Sequence, residues 1–324
     1  MVLTLILPKV LNVCPKHDLI KPCFCIDDHF RCGGNTTIDL IKIFESLENN
    51  LSESEKHLKS FTLKNTAINE LRENTFKDIL FDQISLESCK NLTSIHENAF
   101  NGTDSVTKMI SIEYCPLLTF PKGSVFDILC KFLKIESILL LNNKMIIEIP
   151  SNAFHSSRGD LDHLTEIQIY GPLTKIGSNA FSTLKNVRYI GFEHAAFNII
   201  PDYAFAFDQS SNDTLIIDLT INPMINSSVF SEKSLLNMKR VTKLKFGNAC
   251  CPKQMVFLNE KPFLPFLLQN QKNTIDLDYE EFDCNDCRNY WIRRNTNITS
   301  RVINLKCSNG KTLLDQNNFK MCNK

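Results

Sequence analysis

Phenylalanine recurs along this chain at an interval that an ordinary globular domain does not keep. Phe76, Phe100, Phe126, Phe154, Phe181, Phe205 and Phe230 follow one another at steps of 24 to 28 residues. Associated with this series are apolar pairs separated by one residue: Phe61/Leu63, Ile84/Leu86, Ile110/Ile112, Ile138/Leu140, Ile167/Ile169, Ile190/Phe192, Ile217/Leu219, Leu244/Phe246 and Ile275/Leu277. Strand side chains alternate between faces, so each pair marks the buried side of a short strand. An all-β sandwich would place a strand about every 8 to 12 residues, whereas here there is one per repeat.

The fullest copy runs Ile138-Leu139-Leu140-Leu141-Asn142-Asn143, then Ile146, Ile149-Pro150 and Asn152-Ala153-Phe154. This is the pattern of a leucine-rich repeat: a strand, an Asn that closes the turn, and an apolar returning segment. The position three past the second anchor is held by Cys89, Cys115, Asn143, Pro172, Ala195, Asn222 and Ala249, so the turn position is degenerate. The expected fold is an α/β solenoid, a leucine-rich repeat horseshoe of nine strands with a parallel concave sheet, capped at both ends by cysteine-rich elements. Phe100, Phe154, Phe181 and Phe205 are expected to stack as one buried ladder. The expected organisation is a weak or truncated leader at 1–13, an N-terminal cysteine cap and helix at 14–58, repeats at 59–279 and a C-terminal cysteine cap at 280–324. Within the first cap, Ile38, Ile41, Phe44, Leu47 and Leu51 predict a helix between Thr37 and Leu58.

A solenoid of 324 residues is one elongated body, because each repeat contacts only its neighbours. Lys and Arg number 36 and Asp and Glu 36, which leaves no basic stripe for a nucleic acid. No window approaches the roughly 18 apolar residues of a membrane span. Thirteen cysteines, gathered toward the two ends, point to an oxidising compartment and hence to secretion. Sequons at Asn35, Asn50, Asn91, Asn101, Asn212, Asn226 and Asn297 fit an extracellular glycoprotein.

Cys14, Cys23, Cys25 and Cys32 form a cluster that resembles the N-terminal cap of extracellular leucine-rich repeat proteins. That resemblance implies the pairs Cys14–Cys25 and Cys23–Cys32; four thiolates around zinc is the weaker alternative, since C-x-C crowds a tetrahedral site. At the other end Phe282, Cys284, Cys287, Trp291, Cys307 and Cys322 are similar to the C-terminal cap of the same proteins, with one extra residue between the first two cysteines. There the resemblance implies Cys284–Cys307 and Cys287–Cys322, with Trp291 plugging the last repeat. Cys89 and Cys115 occupy the same turn position in adjacent repeats, where two buried thiols and a disulfide fit equally. Cys130, Cys250 and Cys251 fill no family position.

Catalytic chemistry finds no residues to carry it. The chain has no nucleophile elbow, P-loop, dinucleotide turn or His-Glu-x-x-His, so no catalytic residue, metal or cofactor is assigned. Arg158-Gly159-Asp160 matches an adhesion tripeptide, for which chance is the better account, and Asp276, Asp278 and Glu280 alternate as a calcium site or, more simply, as a solvated strand face. The cap-repeat-cap order, with its Asn-Ala-Phe turns, resembles a group of secreted arthropod proteins that includes the non-catalytic subunit of Oplophorus-luciferin 2-monooxygenase. That likeness implies an accessory chain beside a separate catalytic one. The expected function is a secreted, non-catalytic, protein-binding or scaffolding module; the alternatives are a receptor ectodomain and, less so, an enzyme subunit with its own site. Strand parity places Gln83, Ser85, Glu87; Met109, Ser111, Glu113; Ser137, Leu139, Leu141; Glu166, Gln168, Tyr170; and Tyr189, Gly191, Glu193 on the concave side. Among them Leu139, Leu141, Tyr170 and Tyr189 are the expected protein contacts, with Glu87, Glu113 and Glu193 receiving a basic group.

Overall fold

The computed structural model describes residues 14–120, 123–208, 210–222, 225–247, 257–278, 281–284, 286–307 and Cys322. The apolar pairs become the inner face of a 12-stranded sheet in chain order. Its strands are β1 Phe24–Ile26, β2 His29–Gly34, β3 His57–Asn65, β4 Leu80–Glu87, β5 Met109–Glu113, β6 Ser137–Leu141, β7 Glu166–Tyr170, β8 Tyr189–Glu193, β9 Ser211–Thr220, β10 Arg240–Gly247, β11 Thr274–Leu277 and β12 Val302–Ile303. Only the β1–β2 pair is antiparallel; every later neighbour is parallel. The first anchors stand in one row, Phe61, Ile84, Ile110, Ile138, Ile167, Ile190, Ile217, Leu244 and Ile275, each opposite the next.

The sheet exceeds the nine expected strands because both ends lend it more. Phe30 and Cys32 of β2 take the anchor positions opposite Phe61 and Leu63, and Val302 of β12 continues the row beyond Ile275. Each end repeat would otherwise present an unpaired strand edge and an open apolar core. Disulfides Cys14–Cys25 and Cys23–Cys32 lie at the first edge, Cys284–Cys307 and Cys287–Cys322 at the last. Trp291 is buried and donates its indole N–H to the Leu258 carbonyl at 3.0 Å.

The helix in the first cap is Leu40–Asn50, shorter than the 37–58 span. Its Asp39 carboxylate accepts from the Lys42 amide at 3.2 Å, and past Leu51 the Ser52 and Glu55 side chains cap a separate 3-10 turn, which ends the helix early. The buried stripe is Leu40, Ile43, Phe44 and Leu47, so Ile41, expected inside, is half-buried at its flank. The phenylalanine ladder also differs. Phe154, Phe181 and Phe205 stack at 5.6 and 5.9 Å, but Phe100 meets Phe76 at 5.6 Å and Phe132 at 5.3 Å. Phe126, on the helix Val125–Leu129, meets Phe154 edge-on at 5.3 Å. A helix stands in that repeat where its neighbours have a turn, which breaks the stack between Phe100 and Phe154.

Turn chemistry joins the strands to this spine. The residue after each of β4 to β9 has positive φ, namely Ser88, Tyr114, Asn142, Gly171, His194 and Ile221, and so has Gly247, the last residue of β10. Buried asparagines then tie repeat to repeat. Asn143 donates to the Ile112 carbonyl at 2.7 Å and accepts from the Cys115 amide at 3.1 Å; Asn222 does the same with the Phe192 carbonyl (2.7 Å) and the Ala195 amide (2.8 Å). Cys89 and Cys115 occupy this position as buried thiols. Pro172 does not continue the ladder: its ring is exposed, and the turn is made by Gly171 and Leu173 instead. Ala249, Cys250 and Cys251 lie outside the described residues.

Candidate binding surface on the concave sheet

Alternation and register together turn the outward positions of the strands into three rows. The upper row reads Glu87, Glu113, Leu141, Tyr170 and Glu193, each opposite the next across β4 to β8. The middle row reads Ser85, Ser111, Leu139, Gln168, Gly191, Asp218, Lys245 and Asp276. The lower row holds Gln83, Met109, Ser137, Glu166, Tyr189, Ile216, Lys243 and Thr274. Leu139, Leu141, Tyr170, Tyr189, Glu87, Glu113 and Glu193 therefore share one face, all of them half-buried.

Four positions of the middle row are buried: Ser111, Gly191, Asp218 and Asp276. Ser111 is 2% exposed and donates to the Glu113 carboxylate at 2.5 Å. Gly191 lies under the Tyr189 ring: a Cβ there would stand 2.7 Å from Tyr189 Cε1 and 2.9 Å from its hydroxyl. Glycine is thus what lets Tyr189 lie flat along its own strand. Polar side chains link along the strands beside it. Gln168 donates to Glu166, and the Tyr170 hydroxyl donates to Gln168 Oε1 at 2.7 Å. Asp218 takes Lys245 Nζ from the next strand at 2.7 Å and the Thr220 hydroxyl at 2.7 Å.

The electrostatics divide the face in two. On the C-terminal side acids and lysines are matched, Asp218 with Lys245 and Asp276 with Lys243 at 2.8 Å. Burial pushes the Asp218 carboxyl up, but Lys245 and Thr220 outweigh it and hold it below the ordinary value of 3.8. Among the described residues no cation pairs with Glu87, Glu113 or Glu193 on the N-terminal side, and Glu87 stands directly opposite Glu113. Like charges opposed across a strand pair cost stability. Burial raises the Glu193 carboxyl, with Asp218 adding to it against His194, and burial likewise raises the Tyr170 and Tyr189 hydroxyls, which stay neutral donors.

Asp218, Lys243 and Lys245 belong to the face and were not singled out from the sequence, though strand parity extended by two repeats reaches them. A shallow notch of about 510 Å³ opens at the upper rim between Asn142, Lys144, Gly171, Pro172 and His194, beside Leu141, Tyr170 and Glu193. On the convex side a recess of about 370 Å³ has Leu71, Ile95, Phe120 and Ile128 among its lining residues; Arg72 at its rim is engaged with Glu70, and Lys131 with the Glu97 carbonyl.

The other candidates are dispersed. Arg158 of the Arg-Gly-Asp tripeptide ion-pairs with buried Asp104 at 2.8 Å, which removes it from an adhesion contact. Asp276 is spent on Lys243 and Asn304, Asp278 is half-buried past the strand end, and Glu280 lies outside the described residues. Asn35, Asn50, Asn91, Asn212, Asn226 and Asn297 are exposed, while Asn101 is half-buried and donates to Asn74 at 2.8 Å; none of the seven lies in the three rows. Among the described residues no group of three or more His, Cys, Asp or Glu could hold a metal, and no helix is long and apolar enough to cross a membrane.

Against known proteins, the profile of a family described as the BspA type Leucine rich repeat region matches residues 27–158 and 124–251, in 6 copies. A solved structure described as the TLR13-ssRNA13 complex is similar at a TM-score of 0.50 and 15% identity, over 78% of this chain and 33% of that one. At that identity the likeness speaks to the fold, and the chain spans about a third of the solved one. No curated protein matches.

Proposed function

Since the chain belongs to the BspA-type leucine-rich repeat family, we propose that it is a secreted, non-catalytic protein-binding module whose concave centre receives a partner bearing an apolar ridge beside basic side chains. One observation carries this reading. The row Glu87, Glu113, Leu141, Tyr170, Glu193 sets a leucine and a tyrosine beside three carboxylates without cations among the described residues, on a sheet whose C-terminal strands match Asp218 and Asp276 with lysines. A basic partner removes the Glu87–Glu113 repulsion, and Leu139 and Leu141 make β6 apolar on both faces, as a covered strand is. The same carboxylates repel a polyanion, which opposes RNA as the ligand of this face despite the solved complex of similar fold.

The four terminal disulfides support an extracellular location, and glycans at the seven sequons would leave the concave rows bare. With no catalytic constellation on the face, the chain acts as an accessory or scaffold, the role implied by its resemblance to the leucine-rich subunit that accompanies the Oplophorus-luciferin 2-monooxygenase catalytic chain. The test uses the full chain secreted from eukaryotic cells, with a partner isolated from the native extracellular fluid. A Leu139→Glu, Tyr170→Ala double variant with wild-type melting should bind that partner at least 10-fold more weakly, since two central contacts of about 1 kcal/mol or more are lost. Unchanged affinity removes the concave centre as the site.

A further inference from the structure

We propose that Cys89 and Cys115 become joined by a disulfide when the chain folds in an oxidising medium, a covalent link between successive repeats inside the ladder of turn residues. Both follow by two residues the register partners Glu87 and Glu113, so they hold equivalent places just past the ends of neighbouring strands, where the Ser88 amide still bonds the Glu113 carbonyl at 2.8 Å. Such strands lie about 4.8 Å apart, and a disulfide spans Cα atoms roughly 4.4–6.8 Å apart, so the backbone is already placed for the bond. Ladder side chains point back at the preceding repeat. Asn143 reaches the Ile112 carbonyl, and Cys115 Sγ lies 3.8 Å from the Leu86 carbonyl, three residues before Cys89. Both side chains are 0% exposed, so each sulfur is enclosed by protein alone.

Little is lost when the protons leave. Asn143 makes ladder bonds of 2.7 and 3.1 Å, whereas the thiols make sulfur contacts of 3.4 to 3.8 Å, which are weak. The Cys89 thiolate attacks a sulfur of a small-molecule disulfide, RSSR, forming a mixed disulfide and releasing one thiolate, which takes up a proton as RSH. Cys115, deprotonated, then attacks the Cys89 sulfur and expels the second RSH. Two protein thiols are oxidised and one RSSR is reduced to two RSH. Because native repeats bury both sulfurs, the exchange takes place before those two repeats close on each other. Cys130, buried and donating to the Ala153 carbonyl at 3.3 Å, has no described cysteine partner and stays a thiol.

The full chain, folded in a buffer of oxidised and reduced glutathione, is denatured in excess maleimide and digested without reductant. The expected product is one linked species carrying Cys89 and Cys115, two hydrogens lighter than the separate peptides, with Cys130 alkylated. In a Cys89→Ser variant Cys115 should become fully alkylated under the same treatment. Maleimide on Cys89 or Cys115 in the wild-type chain, or linkage of either to another cysteine, overturns the proposal.

Discussion

At the scale of single residues, the repeats are held by side chains that satisfy backbone groups no strand can reach. Asn143 fills both the Ile112 carbonyl and the Cys115 amide from a 3% exposed position. Asn143→Ala strands both, at about 1–3 kcal/mol each, so the unfolding midpoint should fall accordingly in denaturant titration. An unchanged midpoint would show that the ladder bonds carry no stability. Asp218 predicts a pH effect. Its folded pKa lies below the ordinary 3.8, so its contribution is complete above that value and disappears as pH falls through the folded pKa. Asp218→Asn should therefore lower the melting temperature at pH 7, with the gap to wild type closing below pH 3.8. Glu193 has the opposite sign, since a raised carboxyl loses stability as pH rises through its folded pKa.

Among the elements, the terminal ones do the work that ordinary repeats leave undone. β2 continues the anchor row with Phe30 and Cys32, and the Cys32 side chain is at once an anchor and half of the Cys23–Cys32 disulfide. Removing that bond by Cys23→Ala, Cys32→Ala should cost about 2–5 kcal/mol, typical of a disulfide in a small stapled element. It should also expose Phe61 and Phe44, read as earlier hydrogen exchange in β3 than in β8. If β3 and β8 exchange alike in the variant, β2 does not cap the solenoid. Capping chemistry also decides the length of the Leu40–Asn50 helix, because Ser52 and Glu55 bind each other and start a new turn.

For the whole molecule the relevant property is one-dimensionality. Each repeat packs on two neighbours, so damage at the centre divides the body while damage at an end frays it. Phe154 stacks on Phe181 and receives the edge of Phe126, which makes it the ring that connects the helical repeat to the regular ones. Phe154→Ala should cost about 3–5 kcal/mol through the cavity it leaves. The unfolding transition should broaden as the halves uncouple, measured by circular dichroism and by calorimetry. A loss below about 1 kcal/mol would place Phe154 outside the spine. The concave face has the same dependence on the whole: its acidic half and its lysine-matched half come from different repeats and become one surface only when all strands are in register.

Periodicity alone determined the solenoid, its strand anchors and the residues on its inner face, because alternation and a recurring apolar position are local properties of a chain. The ring spacing could likewise locate every Phe, yet the stack is broken between Phe100 and Phe154. There the helix Val125–Leu129, capped by Ser124 and Asp127, replaces a turn, so that Phe126 meets Phe154 while Phe100 is met by Phe132 instead. Strands β2 and β12 were hidden for a related reason: Phe30-Arg31-Cys32 and Val302-Ile303 are too short to show a period, and only the open edge of the adjoining strand recruits them. The candidate contacts on β4 to β8 were legible from parity, but which of them remain available was not. Ser111 is closed off by Glu113 and Gly191 by Tyr189, while Asp218 and Lys245 join from repeats beyond. Whether a carboxylate on this sheet is free or matched depends on which cation the neighbouring strand sets beside it, and strand neighbours about 25 residues apart in sequence meet only in the folded chain.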